Sequence, residues 1–191
     1  MSTARSTDAV ADTSSVVADL VAKQQITEVL YLRARAGDRR DVELALRCYH
    51  PGATEEHEGF TGTAAEFIRE VSMISPLSTA PVDGLWHFIS NVLIDLNGDE
   101  ADVESYHIAL VARRDGGTQI QSWIGGRYLD TMTFHDGRWA IMRRKVIFDW
   151  SRSDPVSTPY WDLVGLDEST LLRGRFGDDD PLYTHSPVTR G

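Results

Sequence analysis

LWHFISNVLIDLNGDEADVESYHIALVAR, residues 85–113, alternates apolar and polar side chains with a period near two on both sides of one short turn, Asn97-Gly98-Asp99. Successive side chains of a strand point to opposite faces, so the stretch reads as two long paired strands, 85–96 and 101–113. The same pattern continues through 119–134 and 138–150, joined by Asp115-Gly116-Gly117 and His135-Asp136-Gly137, both hairpin-type turns. Four strands linked in this way form an antiparallel meander with sequential neighbours paired. Upstream of residue 85 the hydrophobic period lies near 3.6. Helices first and a curved meander afterwards predict an α+β domain in which the N-terminal helices cover one face of the sheet.

The helical part is clearest in QITEVLYLRARAGDRRD, residues 25–41. Ile26, Val29, Leu30 and Gly37 make an apolar stripe, and Tyr31 and Asp38, seven residues apart, fall about 20° from each other beside it. Both are therefore expected to look into the same space. Asp38 sits in the last turn, where a carboxylate opposes the partial negative charge of the carbonyl end. A C-cap or a solvated loop acid is one reading of it, and a functional acid is the other. The helix is expected over about 16–38, with a bend or break possible at Lys23-Gln24-Gln25, followed by a short helix over 41–48. His50-Pro51-Gly52 then stops it. Residues 54–58 read as extended, and Thr63-Ala64-Ala65-Glu66 is a capping box opening a helix to about residue 73. Pro76 and Pro81 frame a loop.

In the strand 85–96, alternation puts His87, Ile89, Asn91 and Leu93 on one face and Trp86, Phe88, Ser90 and Val92 on the other. An inward histidine on a covered sheet, facing a helix that carries Tyr31 and Asp38, has the makings of a proton-transfer cavity. A satisfied core histidine is the plainer alternative.

Composition sets the bounds. A chain of 191 residues with 41% hydrophobic residues suits one core with extensions, divided as a disordered leader (1–15), the α+β domain (16–150) and a tail (151–191) that wraps the domain or a neighbouring subunit. The net charge of -10 argues against nucleic acid as a partner. The first fifteen residues are polar and small, no apolar run approaches a membrane span, and the single cysteine, Cys48, has no partner for a disulfide within the chain. A cytoplasmic protein without membrane contact is expected. His50, Glu55, His57 and Glu58 lie close in sequence, but strand alternation and the Pro51-Gly52 turn scatter them, so no metal site is expected. Nucleotide-binding glycine loops and hydrolase motifs are missing from the sequence, and no cofactor is expected.

LYLRARAGDRRD, WHFISN, ADVESYHIAL, GGRYLDTMTFHDGRW and RRKVIFDW, in this order and spacing, resemble the SnoaL-like branch of the nuclear-transport-factor-2-like superfamily. Its members, which include scytalone dehydratase, hexachlorocyclohexane dehydrochlorinase and bile-acid dehydratase, are cone-shaped α+β domains. The resemblance covers about residues 16–150 and implies that Asp38 and His87 match the Asp–His pair of the dehydratase and dehydrochlorinase members. In that pairing His87 is the base and Asp38 orients it, while Tyr31 is placed to donate a hydrogen bond to the leaving group. His57 falls where scytalone dehydratase carries a pocket tyrosine.

The sequence also departs from that enzyme. Arg113, Gly126 and Tyr128 stand where it carries a histidine, a serine and an asparagine, which argues against scytalone as the substrate. His107, sharing a face with Val103 and Ser105, is a candidate to replace the missing group. Arg144 sits where relatives often place an arginine that can polarise a carbonyl or carboxylate, with a structural ion pair as the alternative. Trp123, Tyr128 and Phe148 supply aromatic surface for a bulky ligand, or ordinary core. The implied activity is a cofactor-independent lyase acting on a hydrophobic cyclic substrate, with an isomerase, a cyclase, a ligand binder or an oxygenase partner subunit as rivals. A homo-oligomer is implied as well, a trimer before a dimer.

Overall fold

The computed structural model describes residues 13–57, 59–72 and 82–185. Most of the expected leader, Glu58, the end of the third helix, the Pro76–Pro81 loop and residues 186–191 lie outside these. The order of elements is α1 (Thr13–Arg39), α2 (Val42–Arg47), β1 (Tyr49–His57), β2 (Phe60–Thr63), α3 (Ala64–Glu66) continuing as a π-helix over Phe67–Ser72, and four long strands. These are β3 (Val82–Asn97), β4 (Glu100–Asp115), β5 (Thr118–His135) and β6 (Arg138–Pro155). Two short α-helices follow in the described tail, α4 (Tyr160–Leu163) and α5 (Leu182–His185), with single 3-10 turns at Glu168–Thr170 and Gly177–Asp179 between them.

β3 to β6 form the expected meander, but the sheet is larger and mixed. Its order is β2-β1-β6-β5-β4-β3, with β1 parallel to β6 and all other neighbours antiparallel. β1 begins at Tyr49, before the proline and glycine expected only to stop the short helix, and so starts earlier than the extended stretch expected from residue 54. Its pairing with β6 jumps between Tyr49 and Thr54, so Pro51 and Gly52 fall in a bulge where no ladder hydrogen bond is required of them. Two further register shifts, at Gly125/Gly126 and Thr131/Met132, leave Asp149 and Met142 of β6 unpaired and bend the sheet. At Gly126 the backbone approach is so close that an added Cβ would lie 1.9 Å from the Ile147 carbonyl oxygen. The Gly116-Gly117 and Asp136-Gly137 turns have positive φ at both central residues, the condition for a type I′ hairpin turn.

One expectation about faces fails within β3. Asn91 adopts φ 47° and the β3–β4 register shifts between Ser90 and Leu93, so the alternation reverses there. Val92, Ile94 and Leu96 pack on the core, while Leu93 is exposed. His87 and Ile89, before the bulge, keep the inward face.

α1 is unbroken through Lys23-Gln24-Gln25 and takes in residues 13–15 of the expected leader. Ile26, Leu30, Ala36 and Gly37 are buried against the sheet and the short helices. Full burial of each large side chain contributes about 1.5–3 kcal/mol, which is what fixes the helix rotation and hence the position of its last turn. The helix ends at Arg40, where φ is 55° and the Asp41 N–H turns back to the Ala36 carbonyl at 2.9 Å. Asp41 then caps α2, its side chain accepting from the Leu44 N–H.

β6 runs on to Pro155, so the first residues assigned to the tail belong to the sheet. Farther on, three tail residues reach the end of α1 and the start of α2. Asp180 pairs with Arg39 at 3.2 Å, the Arg40 guanidinium lies 4.0 Å from the Phe176 ring centre, and the Tyr183 hydroxyl donates to Asp41. Among the described residues no helix is long and apolar enough to cross a membrane.

Candidate active site

The last turn of α1 meets the start of β3. His87 Nδ1 lies 2.7 Å from Asp38 Oδ1, and the backbone N–H of His87 donates to the same oxygen at 3.0 Å. A carboxylate only accepts, so the ring nitrogen facing it carries hydrogen, and in the neutral form of the ring Nε2 holds the lone pair. Both side chains are largely covered, at 18% and 14% exposure.

His87 lines a hollow of about 40 Å³ together with Arg33, Glu55, His57, Tyr128 and Arg144. That is room for about one water-sized group. A ring-sized space lies beside Asp38. A cavity of about 810 Å³ is bounded by Asp38, Leu85, Trp86, Trp161 and Phe176, the last two supplied by the tail. Leu85 lines both spaces.

Behind the hollow runs a buried polar chain. Arg33 Nε donates to the Tyr49 hydroxyl at 3.2 Å, which donates to Glu55 Oε2 at 2.6 Å, while Glu55 Oε1 faces His57 Nδ1 at 3.2 Å. Burial opposes ionisation of Glu55, but the hydrogen bond from His57 and the charges of Arg33 and Arg144 outweigh it and hold the carboxyl below its usual range. Arg144 grips Asp130 with two hydrogen bonds of 2.7 Å. Burial works against the guanidinium charge, and Asp130 beside it more than compensates, so Arg144 is held protonated more firmly than usual. The aromatic ring of Tyr128 lies between two partners: Arg144, 4.2 Å from its centre, and His107, stacked at 4.2 Å and 5°. Burial raises the Tyr128 hydroxyl to about 12.

His107 is buried as its parity with Val103 and Ser105 predicts, yet it stacks behind Tyr128 and does not line the hollow. Its Nδ1 has no hydrogen-bond partner among the described residues. Burial, with the nearby His87, Arg144 and His57, depresses its pKa to about 4. An unfolded histidine binds its proton near pH 6.5, so the neutral ring contributes stability above that value and loses it as pH falls towards about 4. The melting temperature should accordingly fall over that window, and His107→Phe should flatten the fall. An equally steep acid limb in the variant would place the effect elsewhere.

His57, Tyr128 and Arg144 thus come together with His87, and Arg144 is at once a lining residue and a structural ion pair. Two other expectations are corrected. Tyr31 is half-exposed and lines neither space, because the buried stripe of α1 runs through Ile26, Leu30, Arg33 and Gly37 and leaves Tyr31 turned outward. Trp123 has the strand parity of Leu129, opposite to Tyr128, and is exposed on the outer face of the sheet with Phe88 and Tyr106. Phe148 touches the site at its edge, with its ring 5.6 Å from His57, and is otherwise exposed. Sequence reasoning missed Arg33, Tyr49, Glu55 and Asp130 as site residues. Arg33 sits on the apolar stripe and Asp130 alternates with Tyr128 and Met132, so a charged residue on an inward face was the available signal.

The fold has counterparts among solved structures. A candidate scytalone dehydratase from Novosphingobium aromaticivorans superposes with a TM-score of 0.60 at 18% identity, covering 75% of this chain and 99% of that one. A type 2 hexachlorocyclohexane dehydrochlorinase gives 0.58 at 15% identity, covering 78% and 95%. A type 3 enzyme of the same name from Novosphingobium barchaimii gives 0.58 at 16% identity, covering 78% and 97%. Among curated proteins none matches significantly. The family model of the SnoaL-like domain matches residues 18–145, which run from within α1 into β6. The chain belongs to the SnoaL-like domain family.

Proposed function

We propose that the protein is a cofactor-independent lyase of the dehydratase or dehydrohalogenase kind, in which His87 removes a proton from carbon and Asp38 orients it. The observation that carries this reading is the 2.7 Å contact between His87 Nδ1 and Asp38 beside a covered hollow. A base held by a carboxylate keeps one tautomer and gains basicity, and Nε2 is left for the substrate. The named activities of the dehydratase and dehydrochlorinase folds are in keeping with it.

A volume of about 810 Å³ lies within the range of about 300–1,000 Å³ for small-molecule sites, and Trp86, Trp161 and Phe176, set in a lining that also carries Arg39, Asp83 and Arg114, offer aromatic contact to the body of a cyclic substrate with polar substituents. Only a water-sized part of the reacting edge then enters the small hollow past Leu85, where the fixed positive charges of Arg33 and Arg144 face the charge that develops on it. The exposed outer face with Phe88, Tyr106 and Trp123 is where further copies of the chain would pack, a point for sedimentation to decide.

The test is incubation with a β-hydroxycyclohexanone in heavy water. The reading expects protein-dependent exchange of the hydrogen next to the carbonyl, followed by enone formation. If neither occurs, the lyase reading is lost.

A further inference from the structure

The hollow carries a second carboxylate–imidazole pair that the Asp38–His87 reaction does not use. Glu55 is fully buried, and its Oε1 lies 3.2 Å from His57 Nδ1. The His57 ring is clamped by Phe67, stacked at 4.5 Å and 24°, and by the edge of Phe148. With Nδ1 committed to Glu55, Nε2 is the free nitrogen of a ring that lines the same hollow as His87.

An elimination with oxygen as the leaving atom needs a proton as well as a base. Each other titratable or charged group lining the hollow is unsuited to supply it. Glu55 is held ionised, the Tyr128 hydroxyl is pushed up to about 12, and Arg33 and Arg144 are guanidinium groups that keep their protons. His87 is the base. Histidine is the side chain that ordinarily exchanges a proton near neutrality, and His57 is the other one at the hollow.

We propose that His57, positioned by Glu55, is the catalytic acid that protonates the departing oxygen, which makes the substrate class a β-hydroxy carbonyl compound rather than a halide. This rests on the reading of His87 as the base. His87 Nε2 takes the hydrogen next to the carbonyl, and the electron pair left on that carbon forms the double bond to its neighbour. The carbon–oxygen bond breaks with its electrons on oxygen, and His57, in its imidazolium form, gives that oxygen the Nε2 proton. The products are enone and water. His87 ends as the imidazolium and His57 as the neutral ring, so total charge is unchanged, and exchange with solvent returns each to its starting form. A halide leaves without a proton and would have no use for this second pair.

The experiment compares the full-length wild type, His57→Gln and His87→Ala on β-hydroxycyclohexanone and on its acetate ester. Exchange of the hydrogen next to the carbonyl in heavy water is followed by NMR, and enone formation by ultraviolet absorption. Acetate is a good leaving group, so the ester needs the base but little help from an acid. His57→Gln is expected to retain exchange and ester elimination while losing about 10²-fold or more on the alcohol. His87→Ala is expected to lose exchange and both eliminations. Glu55→Gln should shift the preference from alcohol to ester in the same direction as His57→Gln, a change that loss of packing alone would not produce. Equal losses on alcohol and ester in His57→Gln, or no loss on either, would overturn the assignment of His57 and leave His87 standing. A wild type that neither exchanges nor eliminates would remove the base itself, and the acid with it.

Discussion

Replacing His87 by alanine is expected to lower turnover by about 10²–10⁴-fold, the usual contribution of a positioned general base, while the fold stays intact. The two halves of this expectation have separate causes. The imidazole is bound to Asp38 at 2.7 Å, so truncation removes both the base and the group that Asp38 holds. The same carboxylate oxygen also accepts from the backbone N–H of residue 87 at 3.0 Å, and that donor survives the substitution. Asp38 therefore keeps a partner, and no buried charge is stranded. Steady-state rates on the β-hydroxy ketone, set beside a thermal melt, check both halves. A variant that melts like the wild type and retains its rate would mean that proton removal depends on some other group.

The largest stability loss is expected from Asp130→Ala. Arg144 and Asp130 have side-chain exposures of 4% and 0% and share two hydrogen bonds, so removing the acid leaves a guanidinium charge buried without its counterion. Breaking such a pair from one side costs about 3–5 kcal/mol. Arg127 and Asp149 also share two hydrogen bonds, but at 30% and 39% exposure water can replace either partner. Asp149→Ala should cost far less. Urea titrations of the two variants give the comparison. Similar midpoints for both would show that Arg144 finds another counterion when Asp130 is gone, with Glu55 across the hollow the nearest candidate in kind.

Much of this architecture was legible in the chain because it rests on local chemistry. Turn residues with positive φ set the hairpins at Gly116-Gly117 and Asp136-Gly137, and strict alternation between them set the strands. The Thr63–Glu66 capping box is present as read, with the Glu66 carboxylate accepting from the Thr63 N–H at 3.0 Å. What escaped depended on pairing between distant segments. β1 could not be seen as a parallel partner of β6, because its own sequence holds Pro51 and Gly52 and its ladder comes from residues nearly a hundred positions away. The bulge at Asn91 turned Leu93 outward against simple alternation.

The site divides along the same line. Asp38 and His87 were named from one helix face and one strand face, and these two faces meet. Tyr31 was placed beside Asp38 by helical angle alone. The stripe through Arg33 decides the rotation of α1, and an arginine does not read as part of a buried face until Tyr49, Glu55 and the covering sheet are there to satisfy it. The pairing of Glu55 with His57 likewise looked like ordinary strand residues, since neither burial nor the ring of Phe67 is visible from their spacing.

Central to the account is the state of one ring, a neutral His87 with hydrogen on Nδ1, held by Asp38, and a free lone pair on Nε2. Nitrogen-resolved NMR of the histidine side chains at neutral pH, assigned with His87→Ala, observes this state directly. The account predicts a protonated Nδ1 with a strongly hydrogen-bonded proton that shifts in Asp38→Asn, and an unprotonated Nε2. An Nε2–H tautomer, or an Nδ1 signal indifferent to Asp38→Asn, would contradict it.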